Sequence, residues 1–346
     1  MSNNPRVDKG NSRNFFIDAY RMFLILCIML FHFTYTYNTK DPSIQISYPF
    51  VFKNGHIGVS QFFIISGYYM SRLFEQSGGG KMYFEYCAKR YYRLWAPYFI
   101  ACIFIYLFCH AFPLFYDNID FNLFLLNLVL FVHPGISYLD GAHWFIGMLF
   151  IMELIIGGCV LIINIQKRMR ALLVASFIMG LCFWMCHLYG VSITNTYAFS
   201  FFFILIGVQL YRILQAHDSK FLIPSIICLG YVVVHNSFYY SIGIAIFVVA
   251  IMLNSNVFFK VRIRIGIIES LGGISFCWYL VHHRIGSSIQ YHFIPHDDTS
   301  GAWILLPVIC TLIIALVVYY LSNRIKSILD YKYDTALSKL SEKYFG

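Results

Sequence analysis

Within one apolar run, residues 15–36, three side chains are ionisable: Asp18, Arg21 and His32. Arg21 and His32 are eleven residues apart, almost three whole helical turns, which sets them about 16 Å apart on one face. Imidazole titrates near neutral pH and suits a base or a proton shuttle, while a guanidinium below it suits an anionic group or a developing negative charge. Asp18 shares the face of Arg21 and is placed to neutralise it, so an interfacial anchor is the plainer reading of that pair. A second apolar run, 271–291, carries His282, His283 and Arg284, and a third, 143–163, carries Glu153. His282 lies about as far into its run as His32 does, so the two share a depth. Ionisable groups in such surroundings are costly and mark a functional site by default. A lone histidine there is more often a packing residue; two at matched depth above an arginine make chemistry an equal reading.

A further constellation, Lys89-Arg90-Tyr91-Tyr92-Arg93-Leu94-Trp95-Ala96-Pro97, stands in the segment between the second and third apolar runs, read as a loop. Arg90 and Arg93 share a face, and arginine forks its hydrogen bonds onto phosphate oxygens. The competing reading is a basic flank with a Tyr/Trp interface belt. Ser77-Gly78-Gly79-Gly80-Lys81 lacks the first glycine and the Ser or Thr of a phosphate loop, which excludes nucleotide hydrolysis by that motif. The ten cysteines show no metal-site spacing with histidine and read as small apolar packing residues, so no metal is expected.

The elements that must hold these residues follow from composition. Of 346 residues, 59% are hydrophobic and 12% charged, with a mean hydropathy of +0.67. A water-facing surface needs about twice that charge, so a soluble domain is excluded. Apolar runs at 15–36, 56–74, 94–112, 143–163, 171–189, 198–214, 221–235, 238–254, 271–291 and 302–322 predict about ten transmembrane helices. The shorter run 121–133 predicts a re-entrant or interfacial helix. The fold class is therefore all-α, a polytopic integral membrane helical bundle. Of the 25 basic residues, 21 fall before the first run, in alternate connections or in the tail, which puts both termini in the cytoplasm. The formal net charge of +9 is then a topology signal, and an attraction for anionic lipid or an anionic cytosolic substrate, with no call for nucleic acid. The organisation expected is a cytoplasmic segment 1–14, a membrane domain 15–322 and a cytoplasmic tail 323–346. The first run is too long for a cleavable leader and lacks a cleavage site.

Several motifs then stand in a familiar order. Ile17-Asp18-Ala19-Tyr20-Arg21, followed by ten residues and His32, resembles the opening signature of the acyltransferase-3 family of integral membrane acyltransferases. Gly58-Val59-Ser60-Gln61-Phe62-Phe63-Ile64-Ile65-Ser66-Gly67-Tyr68 is similar to the family's second-span motif, and Arg90-Tyr91-Tyr92-Arg93 with Pro97 to its R-x-x-R stretch. His143-Trp144-Phe145 resembles an element at the start of the fourth span. Gly273-Ile274-Ser275-Phe276 with Tyr279-Leu280-Val281-His282 resembles the late signature. Met22 and Ser60 depart from the usual Gly and Asp, and Ser60 weakens a carboxylate role there. The absence of an added esterase-like domain resembles the stand-alone form.

The resemblance implies transfer of an acyl group, usually acetyl from acetyl-CoA, to a hydroxyl of a cell-envelope sugar or polysaccharide at the bacterial inner membrane. In that chemistry His32 serves as base, with Arg21 and His282 beside it as catalytic groups. Arg90, Arg93 and Arg21 bind the acyl donor. Asp18, His143, Trp144, Glu153, Ser275 and Tyr279 are supporting or acceptor-side groups. The partners implied are the acyl-CoA donor, the envelope acceptor and membrane lipid, with a homo-oligomer left open. The alternative is a transporter or flippase of envelope lipids or sugars in which His32, Glu153 and His282 relay protons.

Overall fold

A computed structural model describes residues 15–40, 48–73, 80–113, 119–129, 138–162, 165–190, 196–235, 238–255, 266–294 and 302–345. The segment 1–14, the Ser77-Gly78-Gly79 stretch and the basic residues Lys260, Arg262 and Arg264 lie outside these. Every described element is helical, and no strand occurs among the described residues. Each of the ten apolar runs is a helix: α1 (Phe15–Phe31), α3 (Gly58–Leu73), α4 (Gly80–Ala111), α6 (Trp144–Ile162), α7 (Ile165–Leu188), α8 (Thr196–Leu214), α9 (Leu222–His235), α10 (Phe238–Ser255), α11 (Gly266–Phe293) and α12 (Leu305–Phe345). Two short helices complete the order, α2 (Tyr37–Lys40) and α5 (Phe121–Val129). Among the described residues, four stretches are long and apolar enough to cross a membrane by themselves: Phe16–Thr39, Tyr86–Ala111, Met169–Leu188 and Ala302–Leu329. The outward faces carry exposed Leu181, Leu188, Ile226, Val233 and Leu316, a surface suited to lipid rather than water.

Three segments depart from the sequence reading. Arg90 and Arg93 are not in a loop: α4 runs unbroken from Gly80 through Pro97 to Ala111. Its 32 residues span about 48 Å, well beyond the hydrocarbon thickness of about 30 Å. Nothing between Lys81 and Ala96 breaks a helix, so polarity there ends the apolar run without ending the helix. The connection between the first and second apolar runs, to which the sequence assigns no element, is in part regular. Phe50–Ile57 forms 3-10 turns that fold back along α1, with the His56 ring 5.2 Å from that of Phe31. At the far end, α12 continues through residue 322 to Phe345 with no break where the charged tail begins.

The described part of the short run 121–133 is the helix α5, whose nine residues, about 14 Å, do not cross a bilayer. It docks on α4 by polar pairs. Trp95 Nε1 donates to Leu128 O at 3.0 Å and Tyr98 OH to Asn127 Oδ1 at 2.8 Å. The same Asn127 Oδ1 accepts from Leu139 N at 3.1 Å, so α5 pins the chain entering α6.

Helices α3 and α8 approach until their backbones touch. A Cβ at Gly67 would overlap Ile204 O, and one at Gly207 would overlap Ile64 O. Reciprocal glycines let two backbones touch where lipid supplies no hydrophobic drive to pack.

Candidate active site

The opening helix changes character at His32. From His32 to Thr36 the backbone widens into a π-helical turn, a form found mostly at functional sites. Two contacts with α11 hold the wide turn. Gln290 Nε2 donates to Phe33 O at 2.7 Å, and the Phe33 ring lies against Gly286, where any Cβ would overlap it. Phe33 is wholly buried, so this is packing of the bundle interior.

The widened turn sets His32 among histidines of α11. Its ring centroid is 5.3 Å from that of His282 and 4.5 Å from that of His283, the latter edge-on. His282 is buried; its Nδ1 donates to Tyr279 O at 2.7 Å. A carbonyl only accepts, so the proton is on Nδ1 and the lone pair on Nε2. That Nε2 is buried with no hydrogen-bond partner among the described residues.

The chain entering α6 meets the same point. Asp140, wholly buried, caps the turn Gly141–His143 by accepting Ala142 N at 2.9 Å. It also accepts His283 Nδ1 at 2.7 Å and Arg284 N at 2.8 Å. His143 Nε2 donates to Leu280 O at 2.8 Å, Tyr279 OH to Ala142 O at 2.7 Å, and an Arg284 guanidinium nitrogen to Leu139 O at 3.1 Å. Leu280 C=O and Arg284 N–H are four apart, the pair that a helix joins. Here each also engages a side chain from the α6 entry, which keys α11 to α6 at the level of the histidines.

The remaining residues singled out from sequence fall elsewhere. Arg21 and Asp18 form an ion pair at 3.5 Å on α1. Ser275 Oγ is spent on Gly272 O of its own helix at 2.9 Å, and Ser60 Oγ on Ile57 O at 2.7 Å. Trp144 packs on Phe63 and Phe145. Arg90 is not free to receive a ligand as a fork: its Nε and one terminal nitrogen both bind the Glu153 carboxylate, which also accepts Ser66 Oγ at 2.6 Å. Arg93, one turn along α4, is exposed.

Sequence reasoning missed Asp140, assigned His283 no role and left Ser66 inside a motif. A signal for Asp140 was present, since an Asp three residues before an apolar run is a helix-capping residue. Nothing in the spacing paired it with His283, 143 residues away.

Three imidazoles, His32, His282 and His283, thus meet inside a helical bundle beside a buried carboxylate, an arrangement able to move protons. A family model described as an acyltransferase domain, acyltransferase-3, matches residues 14–322. The chain belongs to that family and is a membrane acyltransferase. No curated protein and no solved structure matches it.

Proposed function

We propose that this protein is an O-acyltransferase that moves an acyl group, acetyl from acetyl-CoA, to a hydroxyl of a cell-envelope sugar or polysaccharide. The observation that supports it is the imidazole cluster at His32, His282 and His283. Acyl transfer from a thioester to a hydroxyl needs a base for the hydroxyl proton and a donor toward the developing oxyanion. Imidazoles can supply both near neutral pH. His32 is the central group, as base or as carrier of the acyl group, and His282 assists it. Arg21, on the same helix, faces the donor. Exposed Arg93 binds the coenzyme A phosphates, with Arg90 anchored by Glu153 to set its place. The ten helices span the bacterial inner membrane with both termini in the cytoplasm, where acyl-CoA is found.

The test is the purified protein in lipid vesicles with labelled acetyl-CoA and an envelope-sugar acceptor. Label appearing on the acceptor, and an acyl-sized mass difference in envelope polysaccharide between cells with and without the protein, is the expected result. Movement of a lipid or sugar across the vesicle without consumption of acetyl-CoA would replace this reading with a transporter.

A further inference from the structure

Among the clustered imidazoles, His283 hydrogen-bonds a buried carboxylate, Asp140. Asp140 is wholly buried and both its oxygens are spent: Oδ1 accepts His283 Nδ1 and Ala142 N, and Oδ2 accepts Arg284 N. Three N–H donors on one carboxylate favour its ionised form and hold it in one orientation. The carboxylate fixes the His283 proton on Nδ1, leaves the lone pair on Nε2, and stabilises the imidazolium that forms when Nε2 takes a proton. Two neighbouring rings hydrogen-bond neutral carbonyls instead. His282 Nδ1 rests on a neutral carbonyl, and His143 is turned so that its Nε2 donates to Leu280 O. The His283 ring stands 4.5 Å from that of His32 and is not sealed off, with its side chain 14% exposed.

We propose that His283, oriented by Asp140, takes the proton from the acceptor hydroxyl, and that Asp140 is its positioning residue; this rests on the acyltransfer reading above. The hydroxyl O–H bond breaks and its proton passes to His283 Nε2. The oxygen forms a bond to the carbonyl carbon of the acyl thioester. The C–S bond then breaks, and the leaving thiolate takes the proton from His283. In this step His32 is not the base but the donor to the oxyanion that develops on the thioester carbonyl oxygen.

The experiment uses the full-length protein in lipid vesicles, with labelled acetyl-CoA and acceptor sugar, at a series of pH values. His283→Gln keeps an amide N–H for Asp140 but has no nitrogen able to take a proton. Transfer is expected to fall by about 100-fold or more, with folded yield and coenzyme A binding kept. Asp140→Asn is expected to lower the rate similarly and to move the acid limb of the pH profile to lower pH, because the anion that favours imidazolium is gone. His283 is neighboured by His32 from the turn after α1, by Asp140 from the entry to α6, and by His282 and the adjacent Arg284 on its own helix. Asp140 is the one carboxylate among them, so the shift reports on it. Because Asp140 also caps a turn, a poorly folded Asp140→Asn leaves His283→Gln to decide. A His283→Gln protein with wild-type rate and pH profile overturns the proposal while the acyltransfer reading stands. A wild-type protein that moves no label overturns that reading, and this inference with it.

Discussion

Glu153 and Asp140 are both buried carboxylates that bind a nitrogen base from another helix, and they use it in opposite ways. Glu153 takes two nitrogens of Arg90 and the Ser66 hydroxyl, tying α6 to α4 and α3. The carboxylate is consumed by three hydrogen bonds, and the guanidinium it holds does not give up a proton near neutral pH. Asp140 binds one nitrogen of His283 and leaves the other with a lone pair beside His32. The first cluster is spent on holding helices together. The second keeps one end available for chemistry. A buried ionisable residue in a membrane bundle is therefore sorted by what its partner has left over, which burial alone does not reveal.

The sharpest way to break this contrast is at the centre of the second cluster. His32→Ala is expected to reduce acyl transfer by about 100-fold or more while leaving folded yield and coenzyme A binding close to wild type, measured in lipid vesicles. A variant keeping more than about a tenth of wild-type transfer would remove His32 from the centre, since loss of acid–base assistance costs at least about 100-fold.

Glu153→Ala should show the reverse pattern. It leaves the Arg90 charge without its partner, a loss of about 3–5 kcal/mol for a buried pair and less here because Arg90 is about a third exposed. The expected result is a lower unfolding midpoint in detergent and less folded protein, with any protein that folds keeping its rate per molecule. A stable but inactive Glu153→Ala would move Glu153 into the chemistry and erase the distinction.

Arg93→Ala, on the exposed face beyond the Glu153 knot, is expected to weaken coenzyme A binding by about 10-fold without altering stability. In the wild type, binding should weaken as salt is added, and the variant should show a shallower dependence, both measurable by calorimetry.

Tyr279→Phe should have the smallest effect. It removes the hydrogen bond to Ala142 O that keys α11 to the entry of α6, worth about 1 kcal/mol. A slight drop in thermal midpoint and a few-fold loss of rate are expected; a loss as large as that of His32→Ala would make Tyr279 a partner in proton transfer.

Much of the scaffold was legible because bilayer thickness acts on local sequence. Each of the ten apolar runs is a helix, and 121–133 holds a helix too short to span. The Arg21 to His32 spacing was readable for the same reason, since helical periodicity is a short-range property. The boundaries of polar segments were less readable. Arg90 and Arg93 lie within α4 because hydropathy reports where lipid ends, whereas hydrogen bonding decides where a helix ends.

Apart from the Asp18–Arg21 pair, which lies three residues apart on one helix, the partners of the ionisable groups were not legible. That Arg90 binds Glu153 and that His283 binds Asp140 depends on which helices lie side by side, and neither hydropathy nor spacing encodes that. The π-helical turn at His32 belongs to the same class, because Gln290 and Gly286 of α11 hold it open across more than 250 residues of chain. By itself the sequence determined the helices, the family motifs and the residues able to do chemistry, since each depends on residue type and local period. Only the tertiary structure decided which of those residues are spent on one another and which keep a nitrogen for a substrate, because buried polar groups pair with whatever packing places within about 3 Å.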